Sequence, residues 1–549
     1  MAQAPSEETG RALGGSLAAL GASALPAVLC AVLAFVLPPL YDESYLVDPV
    51  YAHLMEGTAY PGVPYPVHLY VFFEILLRAF FLLVTPGLGH AYLLFRLANI
   101  ALYLASAVFF YRGLRLFSNS RTALLGTFFL AWSPIGVLSV MMVKTEGLQL
   151  ALITGGLWLC GRIALGRGRK SDYLMAGLLS GALCLVKYDP LLVLSFLAAA
   201  FMAKREKPGE RAPVAGAFRQ TLADRKVWLG LVAYLACVAL LVSTRITPTS
   251  HELSLVEMTP YFNPHPSILR SVGEGFAFPY GRFSYPLLVF LPLFAGIAVY
   301  GAGLAGVVFR SAPASFFIPW GAFAATYLCS LLALTLTRQP WAFTPALPFL
   351  AAMAAFFFGS PSRGRTGSFL KKALLVPAVL LTLYQAALFP VMGYGLSSVI
   401  IKTAETRHVE DPDGDLLVLF TNEKTSRSQV DAARLRQDVA ERKPAFLLVL
   451  SAYGNDFCRH AGKPAYADAC AFFQDLAGGR AGYRLLWEEE VFYPLAFVFS
   501  RDPGLRLVFD LYREEGPAGR EPEEKNGVRL WTSAGLPEEA AGRVVESFS

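Results

Sequence analysis

The sequence predicts an α-helical polytopic membrane protein of about eleven transmembrane helices with a small C-terminal α/β extracytoplasmic domain, and three observations carry that expectation. Of 549 residues, 55% are hydrophobic and only 16% charged, with a mean hydropathy of +0.47, whereas a soluble domain carries about 25% charged residues. The apolar residues gather into segments near the ~20-residue length that a hydrocarbon core demands, separated by short polar loops. From about residue 402 the composition returns to that of a soluble domain.

Residues 1–17 are read as a cytoplasmic N-terminus from the side on which the basic loops below collect. MAQAPSEETG holds no basic n-region and the apolar stretch Leu17 to Leu40 is too long for a signal h-region. That stretch is taken as the first span, 18–40. Further spans are expected at 91–110, 122–142, 147–161, 173–186, 190–203, 227–244, 286–309, 317–337, 341–358 and 373–392, within a membrane domain of 18–400. Short cytoplasmic loops keep Lys and Arg, and this placement puts four basic loops on one side. They hold Arg112, Arg115 and Arg121; Arg162, Arg167, Arg169 and Lys170; Lys204, Arg205, Lys207, Arg211, Arg219, Arg225 and Lys226; and Arg363, Arg365, Lys371 and Lys372. The domain 401–549 then lies outside a multi-pass inner (plasma) membrane protein. The excess of 47 Lys+Arg over 41 Asp+Glu is loop asymmetry and implies no nucleic-acid partner.

One apolar stretch breaks the pattern. Leu69 to Val84 carries Glu74 and Arg78 four residues apart, and counting it as a span would turn every later basic loop outward. It is read as an amphipathic helix at the outer interface, with a true span holding an ion pair as the alternative.

Two long external loops, 41–90 and 246–285, are rich in titratable and aromatic residues, the kind of segment where a polar substrate is handled. Tyr65, His68, Arg270 and Arg282 are substrate candidates within them. In 401–549, DLLVLF, SQVDAARLRQDVAERK, AFLLVLSAY, ADACAFFQDLA, YRLLWEE and LAFVFSR alternate strand-like and helix-like patterns. Five of seven cysteines sit in apolar segments; Cys458 and Cys470 do not. A disulfide and two free thiols both fit these two.

The most informative candidates are Asp42 and Glu43, directly after Pro38-Pro39-Leu40-Tyr41 at the exit of the first helix. Adjacent carboxylates partly desolvated at an interface suit a general base with a raised pKa; a solvated helix end explains them equally. Glu146, after Lys144 at the outer start of the fourth span, is either a second acid of the same cavity or a carboxylate favoured by the helix dipole. Lys187, in Lys187-Tyr188-Asp189-Pro190, and Arg338, in LTRQPWAFTPALPF, suit an anionic head group, or else a local ion pair and an interfacial anchor. The external His53, His68, His251 and His265 show no ligand spacing, leaving His53 and His68 as weak candidates for a divalent metal. Glycine-rich nucleotide loops and a G-x-S-x-G elbow are absent from the sequence.

Together these pieces resemble the GT-C superfamily of membrane glycosyltransferases, above all the branch of protein O-mannosyltransferases and lipid A aminoarabinose transferases (glycosyltransferase families 39 and 83). The matching segments are YDESYLVDPVYAHLMEG (41–57), YPVHLYVFFEILLRAFF (65–81), FRLANIALYLASAVFFYRGLRLFSNSRTALLGTFFLAWSP (95–134), KTEGLQLALI (144–153), AGLLSGALCLVKYDPLLVL (176–194) and RQPWAFTPALPF (338–349). The resemblance implies a polyprenyl-phosphate-linked sugar donor and transfer at the external face to a lipid, glycan or protein hydroxyl. By it Asp42 is the catalytic base, with Glu43 beside it, and Glu146 the second acid, at a position where the family often has Asp. Lys187 and Arg338 face the carrier phosphate, with Lys144 as a third donor-phosphate candidate. A flippase for lipid-linked sugars and a non-catalytic envelope protein are the alternatives.

Overall fold

A computed structural model describes residues 17–18, 20–32, 47, 50–55, 57, 73–75, 78–79, 88–141, 145–187, 192–207, 210–246, 292, 295–333, 344–360, 369–388, 399, 416–419, 435–450, 458, 464–492 and 506–514. They fall into two compact units that part at Phe389–Pro390.

The described part of the first unit is helical: α1 (Leu20–Val32), α2 (Leu88–Arg115), α3 (Ser120–Ala131), α4 (Pro134–Met141), α5 (Thr145–Ala164), α6 (Lys170–Lys187), α7 (Leu192–Arg205), α8 (Val214–Ala223), α9 (Arg225–Ile246), α10 (Ile297–Val308), α11 (Ala314–Ala333), α12 (Leu347–Gly359) and α13 (Phe369–Leu388). Among the described residues, three stretches are long and apolar enough to cross a membrane: Ala91–Arg115, Glu146–Ala164 and Phe369–Leu388. Leu20–Val32, Ile297–Val308 and Thr344–Gly359 are shorter apolar helices.

Local chemistry sets the boundaries. Arg112 and Arg115 fill the last turn of α2, where cations complement the helix dipole. Asn119 then caps α3, its side chain accepting from the Thr122 amide, which satisfies one of the orphan N–H groups. Helix α5 ends at Gly166, in the left-handed region at φ 70°, with the Arg167 N–H returned to the Arg162 carbonyl; only glycine takes that backbone without strain. The single span expected at 122–142 is instead two helices. Pro134 cannot donate to a preceding turn, so α3 stops at Ala131 and α4 restarts with Ser133 Oγ accepting from the Gly136 amide.

Close contacts give the direction in which neighbours run. Asn99 meets Gly147, Phe109 meets Gly155, Gly113 meets the Trp158 backbone and Phe117 meets Gly161, so α2 and α5 are parallel. Gly303 with Leu350 and Gly306 with Met353 make α10 and α12 parallel, while Gly126 with Ala355 and Gly359 with Thr122 set α12 antiparallel to α3. Between α7 and α9, where only a basic loop was expected, stand a two-residue hairpin, β1 (Glu206–Lys207) with β2 (Glu210–Arg211), and the helix α8.

The second unit holds a four-stranded sheet in the order β3 (Leu416–Leu419), β4 (Phe446–Leu450), β6 (Arg506–Glu514), β5 (Tyr483–Phe492). β3 and β4 are parallel and the other pairs antiparallel. Helix α14 (Leu435–Arg442) lies in the β3–β4 connection, which must cross over because the strands are parallel. Leu435 and Val439 of α14, and Ala469, Phe472, Phe473 and Leu476 of α15 (Pro464–Ala477), place their helical faces on Leu447 and Val449 of β4. Asp475 joins the helices, accepting from Arg436 at 2.8 Å and Arg480 at 3.0 Å; these guanidinium hydrogen bonds hold its carboxyl below the usual value. LAFVFSR lies outside the described residues, and β6, RLVFDLYRE, is a strand the sequence reading missed.

Cys458 and Cys470 are joined by a disulfide across a separation of 12 residues, which decides between the two readings the sequence left open. Closing a loop of this length restricts the unfolded chain by about 3 kcal/mol. Cys458→Ser with Cys470→Ser should therefore lower the unfolding free energy of the second unit by about 3 kcal/mol, read from a lower denaturant midpoint at unchanged slope, and reduction of the wild type should reproduce the loss. An unchanged midpoint in both would remove the disulfide from the unit's stability.

Candidate functional site

The sequence candidates divide sharply by where they fall. Asp42, Glu43, Tyr65, His68, Lys144, Arg270, Arg282 and Arg338 lie outside the described residues, as does the Lys187 side chain, although its backbone ends α6. Glu146 and His53 are described.

Glu146 is buried in the first turn of α5, where the positive end of the helix dipole favours a carboxylate. It is not alone there. Gln149, one turn on, is fully buried, and on the parallel helix α2 Arg96 and Asn99 are buried too. Their level is fixed by Gly147. The Asn99 amide rests against its Cα so closely that a Cβ would overlap it, and with a rise of about 1.5 Å per residue Arg96 and Glu146 come within a turn of each other along the helix axes. Four buried polar side chains therefore share one end of the α2–α5 pair. Among the described residues neither polar atom of the Gln149 amide has a hydrogen-bond partner. An unmet amide in a low-dielectric interior costs about 1–3 kcal/mol, and such a group is satisfied by water or by a bound polar molecule.

Described residues of the first long loop pack at the same end. Val47, Val50 and Phe73 pack with Ala91, Tyr92 and Phe95 of α2 and Val186 of α6, and Leu148 and Leu152 of α5 flank them. The Phe73 and Phe95 rings meet edge to face at 5.1 Å. Residues 50–55 are helical. Beside Phe73, Glu74 accepts from Arg78 Nε at 2.6 Å, and His53 Nε2 stands 3.7 Å from its other oxygen. Arg78 is exposed while Glu74 is buried, so the carboxylate is held at the edge of the cluster by a cation that reaches solvent. The rest of 69–84 lies outside the described residues.

Thus the structure brings Glu146 and the end of α6, at Lys187, to the apolar cluster built on the first loop, and it brings His53 to Glu74. Arg96, Asn99 and Gln149 were missed by the sequence reading. The available signal was three strongly polar residues inside segments otherwise apolar enough to span, where such residues are costly. As to metals, no group of three or more His, Cys, Asp or Glu stands together among the described residues.

No family model matches the chain, and no curated protein matches it. Solved structures do. ArnT from Cupriavidus metallidurans bound to undecaprenyl phosphate is 14% identical, with 91% of this chain and 98% of that one covered and a TM-score of 0.49. The archaeal oligosaccharyltransferase AglB from Archaeoglobus fulgidus, in complex with an inhibitory peptide and a dolichol-phosphate, is 11% identical over 82% of this chain and 70% of that one, with a TM-score of 0.44. The apo form of the oligosaccharyltransferase from Archaeoglobus fulgidus is 12% identical over 67% of this chain, at a TM-score of 0.42, and the match spans 55% of its length. These are likenesses in the course of the backbone, and no residue role passes from them to this chain.

Proposed function

We propose that this chain is a membrane glycosyltransferase that moves a hexosyl or pentosyl unit from a polyprenyl-phosphate-linked donor to an acceptor hydroxyl at the external face. The observation that carries the reading is the buried polar cluster of Arg96, Asn99, Glu146 and Gln149 beneath the first loop. Charged and amide side chains inside a membrane bundle mark substrate paths, and this cluster supplies donors and acceptors suited to sugar hydroxyls, with the Gln149 amide still to be satisfied. Val47, Val50 and Phe73, which pack at that end, belong in sequence to the loop that also carries Asp42 and Glu43.

In the proposed step Asp42 takes the proton of the acceptor hydroxyl, and the oxygen attacks the anomeric carbon in line. The bond from that carbon to the phosphate oxygen breaks, the electron pair leaves with the phosphate, and configuration inverts. Lys187, Arg338 and Lys144 neutralise the departing phosphate, while Glu146, oriented within the cluster, holds the sugar or acceptor. The Cys458–Cys470 disulfide supports placing the second unit on an oxidising, external side.

The test is single-turnover transfer by purified protein from a panel of radiolabelled polyprenyl-phosphate sugars to envelope extract. Movement of label is expected and names the donor. Bound lipid with no transfer from any donor would overturn the reading in favour of transport or a non-catalytic role.

A further inference from the structure

Helix α8 uses only part of its apolar surface. Ala217 and Thr221 are buried, in the face that α8 lays on α7. Beside them Val214, Phe218 and Leu222 recur at i, i+4 and i+8 and stay 58%, 56% and 48% exposed, an apolar stripe two turns long that none of the described residues covers. Large exposed apolar residues in register are a surface meant to be covered. At the end of the stripe Trp228, itself half-exposed, donates its indole N–H to the Leu222 carbonyl at 2.7 Å. Tryptophan with an apolar body and a polar tip is the residue of membrane–water interfaces.

Charge identifies what covers the stripe. Residues 204–226 contain seven Lys and Arg (204, 205, 207, 211, 219, 225, 226) against three Asp and Glu (206, 210, 224). The third acid is already committed: Asp224 binds Lys204 at 2.6 Å. Arg219 and Arg225 are exposed and Lys226 partly so, all within two turns of the stripe. A basic, tryptophan-bordered amphipathic helix matches an anionic lipid surface, and not a neutral protein groove.

We propose that α8 lies in the plane of the basic-side membrane leaflet, with Val214, Phe218 and Leu222 at the acyl boundary and Arg219, Arg225 and Lys226 on anionic phospholipid head groups. The site makes this face of the protein a reader of leaflet charge, separate from the polar cluster beneath the first loop.

The full-length protein is reconstituted in vesicles of equimolar phosphatidylethanolamine and phosphatidylglycerol, with photoreactive benzoylphenylalanine in place of Phe218 or, as control, of Gln220. Both positions are exposed, so folding is not at stake. After irradiation, intact mass should show lipid adducts at 218 and few at 220. Phosphatidylglycerol should outnumber phosphatidylethanolamine in them about fivefold, a ratio that falls to about one when Arg219→Gln, Arg225→Gln and Lys226→Gln are combined. Equal labelling at the two positions, adducts to protein or to a second copy of the chain, or lipid adducts with no anionic excess would each overturn the proposal.

Discussion

Asp42→Asn should lower transfer by about 10²–10⁴-fold, the range set by loss of a positioned general base, and should do so in kcat and kcat/KM alike, because the proton is taken only in the transition state. The asparagine keeps the size and hydrogen-bonding shape of the side chain, so folding and lipid binding should persist. Glu146→Gln should behave differently. Glu146 sits in a buried cluster with Arg96, Asn99 and Gln149, and in the proposed reading it holds the substrate. Its loss should be smaller, about tenfold, and should vary with the donor because it falls on KM as well as on kcat. Arg96→Gln and Gln149→Leu should follow Glu146 in this pattern. The measurement is a kcat and KM pair for each variant with each active donor. Full activity in Asp42→Asn would remove that carboxylate from catalysis, and an equal, donor-independent loss in both acids would make Glu146 part of the proton transfer.

How far the sequence foretold this arrangement depended on which physical signal was read. Apolar length found most helices, since a bilayer leaves few alternatives to a helix of that composition. It failed where a local group overrode it: Pro134 divides one apolar run into α3 and α4, and α8 hides in a stretch read only for its charge. At the site, Glu146 was legible because an acid beside a predicted span is conspicuous. Arg96, Asn99 and Gln149 were not, because each lies inside an apolar segment and gains meaning only when the Asn99–Gly147 contact sets α2 and α5 in register. That contact joins residues 48 positions apart, and no local pattern announces it. In the second unit, period-two and helical patterns located β3, α14, β4, α15 and β5, whereas the order in which β6 inserts between β4 and β5 is a tertiary choice. The Cys458–Cys470 pair was likewise open in sequence, since spacing alone does not bring two thiols together.

The same kind of non-local register underlies the largest stability effect expected. In Gly177-Leu178-Leu179-Ser180-Gly181 the glycines recur at the interval that lets membrane helices approach backbone to backbone. In α6 they do. A Cβ at Gly177 would run into the Gly230 carbonyl of α9, one at Gly181 would meet the Cys237 side chain, and one at Gly230 would lie 2.6 Å from the Tyr173 carbonyl. The opposing atoms are largely backbone, so no rotamer change relieves the overlap, and separating two helices along their length is the only escape. Gly177→Leu should therefore abolish the monodisperse folded protein in detergent, and Gly177→Ala should cost about 1–3 kcal/mol, the usual range for overpacking. Gly301→Leu is the control, because nothing stands within 4 Å of a Cβ there, and it should leave yield and thermal midpoint unchanged. Equal behaviour of Gly177→Leu and Gly301→Leu would show that α6 and α9 are not in close contact. The milder variant also bears on function. Helix α6 ends in Val186, packed on Phe95 and Val47, and then Lys187, so pushing α6 away from α9 displaces the cation proposed to meet the carrier phosphate. Gly177→Ala protein that folds should transfer sugar more slowly than wild type, with a raised KM for the lipid-linked donor.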